Sequence, residues 1–302
     1  TGNFDNSTIE VVNNATLTTS VAKVDTLTST GAGDIVLTGD STTADLSNIT
    51  NNITINGNVE LQDSRVSQGD ITVDGALTIL DATDISGKTI DGTGSLELQG
   101  GGVVDLANVS VDTLTGNFDS ATTLDNLNID IDASSSTGDI TVNANNSVSN
   151  VTTGSGNDTI NTEDGSINIT ANGGTDTVVY TAATTLTGTL TGVENITVNG
   201  ANLDTTVEKI TAKNVDGTGT VSITNSGNLD AGNISNDLVI KADVTLDNAG
   251  TGTITVEAGN TLTASATQLD GLTINGAGNV NITGDSTTAD LSNITNNITI
   301  NG

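Results

Sequence analysis

Apolar residues in this chain fall in short clusters that alternate with threonine, such as Ile53-Thr54-Ile55 and Ile254-Thr255-Val256. β-Branched side chains at every second position fit a pleated, half-buried surface, so each cluster predicts a short strand. Most clusters end in Asn-Gly, Asp-Gly or a close relative: ITING at 53–57, ITVDG at 71–75, ITVNA at 140–144, ITVNG at 196–200, ITVEAG at 254–259, LTING at 272–276 and ITING at 298–302. The step from onset 53 to onset 71 equals that from 254 to 272, whereas the step from 272 to 298 is longer. Second strands lie between them, at 59–61, 96–98 and 103–106. No stretch reads as a convincing helix; the best, 202–214, is an interruption at most.

Two all-β architectures fit this pattern. The Asn-Gly tags could close tight hairpins in tandem β-sandwich-like domains. Alternatively, each unit, from one tag to the next, is one rung of a right-handed parallel β-helix, with the tag at a corner where Asn and Gly tolerate positive φ. The intervals are too long and too variable for hairpins. Ile, Val and Leu at matching positions can also stack into an aliphatic core without aromatic residues, so the solenoid is the favoured expectation.

A longer repeat overlies the rungs. Residues 38–57 read TGDSTTADLSNITNNITING, and residues 283–302 repeat them letter for letter. The same offset carries Thr16-Leu17-Thr18 onto Thr261-Leu262-Thr263 and Gly31-Ala32-Gly33 onto Gly276-Ala277-Gly278. Residues 1–57 and 246–302 are therefore two copies of one module, and a block kept identical implies recent duplication within a long, modular parent. The chain opens at Thr1 rather than Met, which predicts excision from something longer, with any export signal outside it.

Composition narrows the chemistry. There is no His, Cys, Pro, Met or Trp, and the aromatic residues are Phe4, Phe118 and Tyr180. Leu, Ile, Val and Phe still make up about a quarter of the chain, above the level of disordered sequences. Zero His and zero Cys exclude Ser-His and Cys-His nucleophiles, disulfides and a zinc site of the usual type. Thirty-seven acidic residues face six basic ones, for a formal net charge of −31. That balance argues against nucleic acid and anionic membranes and favours divalent cations. No apolar run approaches the roughly 20 residues of a membrane span.

One segment carries a cation-binding pattern. Residues 153–179 divide into three nine-residue frames, TGSGNDTIN, TEDGSINIT and ANGGTDTVV. The fourth position is Gly156, Gly165 and Gly174, and the eighth is Ile160, Ile169 and Val178. The frames resemble the RTX nonapeptide G-G-x-G-x-D-x-U-x, although the first-position Gly is missing from all three. The resemblance implies a calcium-binding β-roll, in which the first six positions of a frame turn, the last three form a strand, and alternate frames stack on the same side. It implies Ca2+ ligation by Asp158 and Asp176, which hold the sixth position and would fall on one edge, with Gly156, Asn157 and Gly174 shaping the turns. The middle frame has Ile167 at the sixth position and offers only Glu163 and Asp164 nearby.

The following stretch, VVYTAATTLTGTLTGVENITVNG at 178–200, and the Thr/Asn/Asp-rich cassettes resemble bacterial surface-layer (S-layer) proteins and large type I-secreted adhesins. The organisation expected is thus a β-solenoid over 1–152, an RTX-like β-roll over 153–179 and a second β-solenoid over 180–302. The resemblance implies a non-enzymatic, extracellular subunit of a calcium-dependent S-layer. Its partners would be copies of itself and, through a segment outside this sequence, cell-surface polysaccharide. A stalk of a secreted adhesin is the alternative.

Other patterns have plainer explanations. The pairs Asp130/Asp132 and Asp81/Asp84 could serve as glycosidase carboxylates, but the aromatic platforms of sugar clefts are missing. The pairs Thr16/Thr18, Thr26/Thr28, Thr187/Thr189 and Thr261/Thr263 are too unevenly placed for an ice-binding ladder. Sequons at Asn48, Asn52, Asn108, Asn195 and Asn297 are abundant in a chain this rich in Asn and Thr, and leave glycosylation open.

Overall fold

The computed structural model describes residues 7–62, 64–285 and 287–301. It is a β-solenoid of about 16 turns with 4% helix. Every strand pairing among the described residues is parallel, which rules out the hairpins a sandwich would need. The chain divides into two compact units, Thr1–Asp158 with Ala171–Gly174, and Thr159–Thr170 with Thr175–Gly302.

In the first unit one face is a six-stranded sheet of Thr16–Ser20, Asp34–Thr38, Ile53–Ile55, Ile71–Val73, Ile90–Asp91 and Val109–Ser110. Ile35, Ile53, Ile71 and Ile90 stack in register along it, and all are at most 1% exposed. A second face carries Ser41–Ala44, Asn58–Leu61, Ala76–Ile79, Ser95–Asp105 and Thr113–Leu127. Its inward row runs Val59, Leu77, Leu96, Leu114. Each such Leu or Ile contributes about 1.5–3 kcal/mol on burial, so rows of small aliphatics replace the missing aromatics. Where Phe118 does enter the core, Gly116 makes room: a Cβ there would lie 2.4 Å from the ring.

In the second unit the rows are Thr159–Thr162, Thr177–Tyr180, Asn195–Val198 and Asn214–Asp216 on one face. Asn202–Thr205, Thr220–Ile223, Asp237–Ile240, Ile254–Val256 and Ile274–Asn275 form another. Gly227–Asp230, Val244–Asn248, Thr261–Ser265, Asn279–Thr283 and Asn297–Asn301 form a third. The predicted interruption at 202–214 contains a single helical turn, Val207–Ile210, between two strands.

The structure departs from expectation in two details. The interval between the tags at 272 and 298 is not a rung. Ile274 pairs with Ile254, whereas Ile298 pairs with Val280, so the two tags lie on different faces. Nor do all tag glycines serve a positive φ. Gly276 does (φ +105°), but Gly57 and Gly75 are required by stacking: a Cβ would sit 2.0 Å from the Gly39 carbonyl oxygen and 2.3 Å from that of Gly57.

The two copies of the module fold alike. Thr16↔Asp34 and Ile35↔Ile53 reappear as Thr261↔Asn279 and Val280↔Ile298. The left-handed residues coincide as well: Asn14 with Gly259, Thr26 with Gly271, Gly31 with Gly276 and Gly39 with Gly284.

Candidate metal site and the polar ladders

Thr159 pairs with Thr177 and Ile160 with Val178, so the strands of the first and third frames are neighbours on one face. The middle frame's strand, Asn168–Thr170, pairs instead with Leu190–Thr191. This two-sided alternation follows from a nine-residue half-rung whose eighth residue points inward; Ile160, Ile169 and Val178 are all fully buried.

Asp158 belongs to the first unit and is 1% exposed. Its Oδ1 accepts the Ile140 backbone N–H at 2.8 Å. Burial raises its carboxyl above the ordinary value; bonds from Thr153 and Ile140 oppose the rise, and the neighbouring Asp139 charge adds to it. The Asn157 N–H donates to Asp139 Oδ1 at 2.7 Å, so this exposed residue is held by its backbone. A Cβ on Gly156 would lie 2.4 Å from the Gly138 carbonyl oxygen, and Gly174 has φ +110°.

Asp176 belongs to the second unit and is fully buried. Its N–H donates to Glu194 Oε2 at 2.9 Å, and its carbonyl accepts the Asn195 N–H at 2.9 Å. In the middle frame, Asp164 binds the Ser166 N–H and hydroxyl, closing its own turn. Among the described residues no three His, Cys, Asp or Glu side chains gather into a group able to hold a metal.

Other carboxylates serve the stack. Along the corners an Asp oxygen accepts a backbone N–H one rung away: Asp40 from Asn58, Asp243 from Thr261 and Asp237 from Thr253, at 2.8–2.9 Å. In each glycosidase-like pair one carboxylate reaches a neighbouring rung and the other closes its own turn. Asp130 accepts from the Ser149 and Asn150 N–H groups, Asp132 from Ser134, Asp81 from Thr83 and Asp84 from Ser64. Partial burial works to raise the Asp130 carboxyl, but its bonds to Asn150 and Ser149 outweigh that and hold it below the usual value. Three lysines also face the backbone: Lys88 Nζ binds the Ser67 carbonyl, Lys209 that of Gly188 and Lys213 that of Val193, while Lys241 pairs with Asp204 at 2.8 Å.

A third device was not anticipated from sequence. Asn51, Asn236 and Asn296 are buried, and each Nδ2 bonds the carbonyls of a Gly-x-Gly turn one rung earlier. Asn51 reaches Gly33 at 2.8 Å, Asn236 reaches Gly219 at 2.9 Å, and Asn296 reaches Gly278 at 3.1 Å. The signal is visible in retrospect: NITNN at 48–52 and 293–297 and NISND at 233–237 follow GAG or GTG turns at 31–33, 276–278 and 217–219. No known protein family, no curated protein and no solved structure matches this chain.

Proposed function

We propose that this chain is a non-enzymatic structural segment of a secreted, self-assembling cell-surface array of the S-layer kind, with calcium as its assembly ion. The observation that carries the reading is the duplicated module, which takes the same register and the same left-handed turns twice in one chain. A solenoid whose rungs contact only their neighbours lengthens by adding such modules. The polar side chains support a structural role, since carboxylates, lysines and buried asparagines bind backbone groups of adjacent rungs. The net charge of −31 keeps copies apart until a divalent cation screens or bridges them. Asp158 and Asp176, both buried in RTX-like turns, remain the proposed ligand residues.

The test is thermal unfolding followed by circular dichroism, in EDTA and then in millimolar calcium, with electron microscopy of the same samples. The reading expects a rise in Tm and ordered arrays with calcium. Identical melting and dispersed particles in both buffers would remove calcium and assembly together. A calcium-induced Tm rise that disappears in Asp158→Asn would assign the ion to that turn.

A further inference from the structure

We infer that Asn56 and Gly57 form a self-modifying pair, in which the Gly57 backbone nitrogen closes on the Asn56 side chain and converts it to aspartate or isoaspartate. This chemistry is independent of the assembly proposed above.

An asparagine followed by glycine carries its own nucleophile, because glycine has no Cβ to shield the backbone nitrogen. The Gly57 nitrogen attacks Asn56 Cγ and a C–N bond forms. The side-chain nitrogen leaves as ammonia, taking the proton that the backbone nitrogen gives up. Water then opens the five-membered imide. Cleavage of its Cγ–N bond gives aspartate. Cleavage of the original peptide bond gives isoaspartate, whose backbone runs through Cβ and Cγ and is one carbon longer. One water enters and one ammonia leaves.

Asn-Gly pairs lie wholly within the described residues at 56–57, 172–173, 199–200 and 275–276, and the fold restrains the last three. Asn172 Nδ2 donates to the Thr153 carbonyl at 2.7 Å. The Gly200 N–H donates to Thr218 Oγ1 at 3.1 Å. Asn275 Oδ1 accepts the Thr255 hydroxyl at 2.8 Å. Imide closure removes or displaces the bonded atom in each. Asn56, by contrast, is exposed, and neither its side chain nor the Gly57 N–H has a hydrogen-bond partner among the described residues. Closure there breaks no hydrogen bond, and one such bond corresponds to about tenfold in rate. The corner also sets what the product does. The Gly57 carbonyl accepts the Ala76 N–H at 3.0 Å, and the Asn58 N–H donates to Asp40 Oδ1 at 2.9 Å. A Cβ on Gly57 would lie 2.0 Å from the Gly39 carbonyl oxygen. A backbone one carbon longer cannot enter this corner without shifting the rung.

The test is peptide mapping by mass spectrometry of the full chain aged in warm, mildly alkaline buffer, with isoaspartate marked by an isoaspartate-specific methyltransferase. Asn56 is expected to deamidate about tenfold faster than Asn172, Asn199 and Asn275. Thr218→Val, a change at an exposed side chain that frees the Gly200 N–H, should bring Asn199 close to the rate of Asn56. The same chain aged in urea should lose the ranking, because local sequence alone then governs. Folded wild type in which Asn56 reacts no faster than the other three overturns the inference, and so does an unchanged ranking in urea. An unaltered Asn199 rate in Thr218→Val overturns the hydrogen-bond control. Chain carrying isoaspartate at 56 should melt below fresh chain; an equal Tm would overturn the effect on the rung while leaving the reactive pair standing.

Discussion

At the scale of single residues, Asn51 binds the Gly31 and Gly33 carbonyls and accepts the Ser29 hydroxyl at 2.5 Å, all in a buried corner. Removing it leaves acceptors and a donor without partners away from water, so Asn51→Ala should cost about 2 kcal/mol or more in urea unfolding. Thr26 holds φ +63°, a conformation that penalises a β-branched residue, and its duplicate at the same place is Gly271 at φ +71°. Thr26→Gly should therefore stabilise the fold by about 1 kcal/mol, measured as a shift in urea midpoint. Asp158 has a folded-state pKa above its unfolded value, so its favourable contribution is complete at acid pH and is lost as pH rises through the folded value. Asp158→Asn retains an acceptor for the Ile140 N–H. Its stability relative to wild type should rise between about pH 3 and neutrality, a trend that paired unfolding curves without calcium would reveal; a flat difference would mean that burial does not govern this carboxyl. Such uses of Asp and Asn were not legible in the sequence, because composition reports an acidic residue but not the rung against which it lies.

At the scale of elements, corner glycines divide by mechanism. Gly75 stacks against the Gly57 carbonyl, 2.3 Å from where a Cβ would be, whereas Gly39 has φ +81° and open space around it. Gly75→Ala should thus cost about 3 kcal/mol or more through displacement of the rung, and Gly39→Ala only about 1 kcal/mol through its backbone angle. Thermal unfolding of the two variants separates these origins. The strands themselves were readable: the alternation of Ile53-Thr54-Ile55 and Ile71-Thr72-Val73 gives the buried, half-exposed, buried pattern observed. The face on which each strand lies was not. Rungs differ in length: the step from Leu238 to its partner Ile254 is short, and that from Ile169 to its partner Leu190 is long. Turns absorb the difference without a mark in the local sequence.

At the scale of the whole molecule, the duplicated module takes one register twice: Ile35↔Ile53 reappears as Val280↔Ile298. Ile55, in the first copy, is fully buried. Ile55→Ala should cost about 2–5 kcal/mol in chemical denaturation. A cost within about 0.5 kcal/mol would mean that this row is packed as a surface one.

The amino-acid sequence by itself determined the strand-forming clusters, the all-β class, the twice-used module and the absence of histidine and cysteine chemistry, because these follow from periodicity, self-similarity and residue type; it favoured the solenoid, and the parallel pairing of the strands decided it against a sandwich. Tertiary structure alone decided the sharing of tags among faces, the aim of the Asp and Lys side chains at neighbouring backbone groups, and the capping of Gly-x-Gly turns by buried asparagines. The physical reason is that a parallel rung has no partner within its own segment. Its hydrogen bonds and its core contacts lie a full turn of the solenoid away along the chain, as Ile254 does from Leu238 and Leu190 from Ile169, and only stacking brings them together.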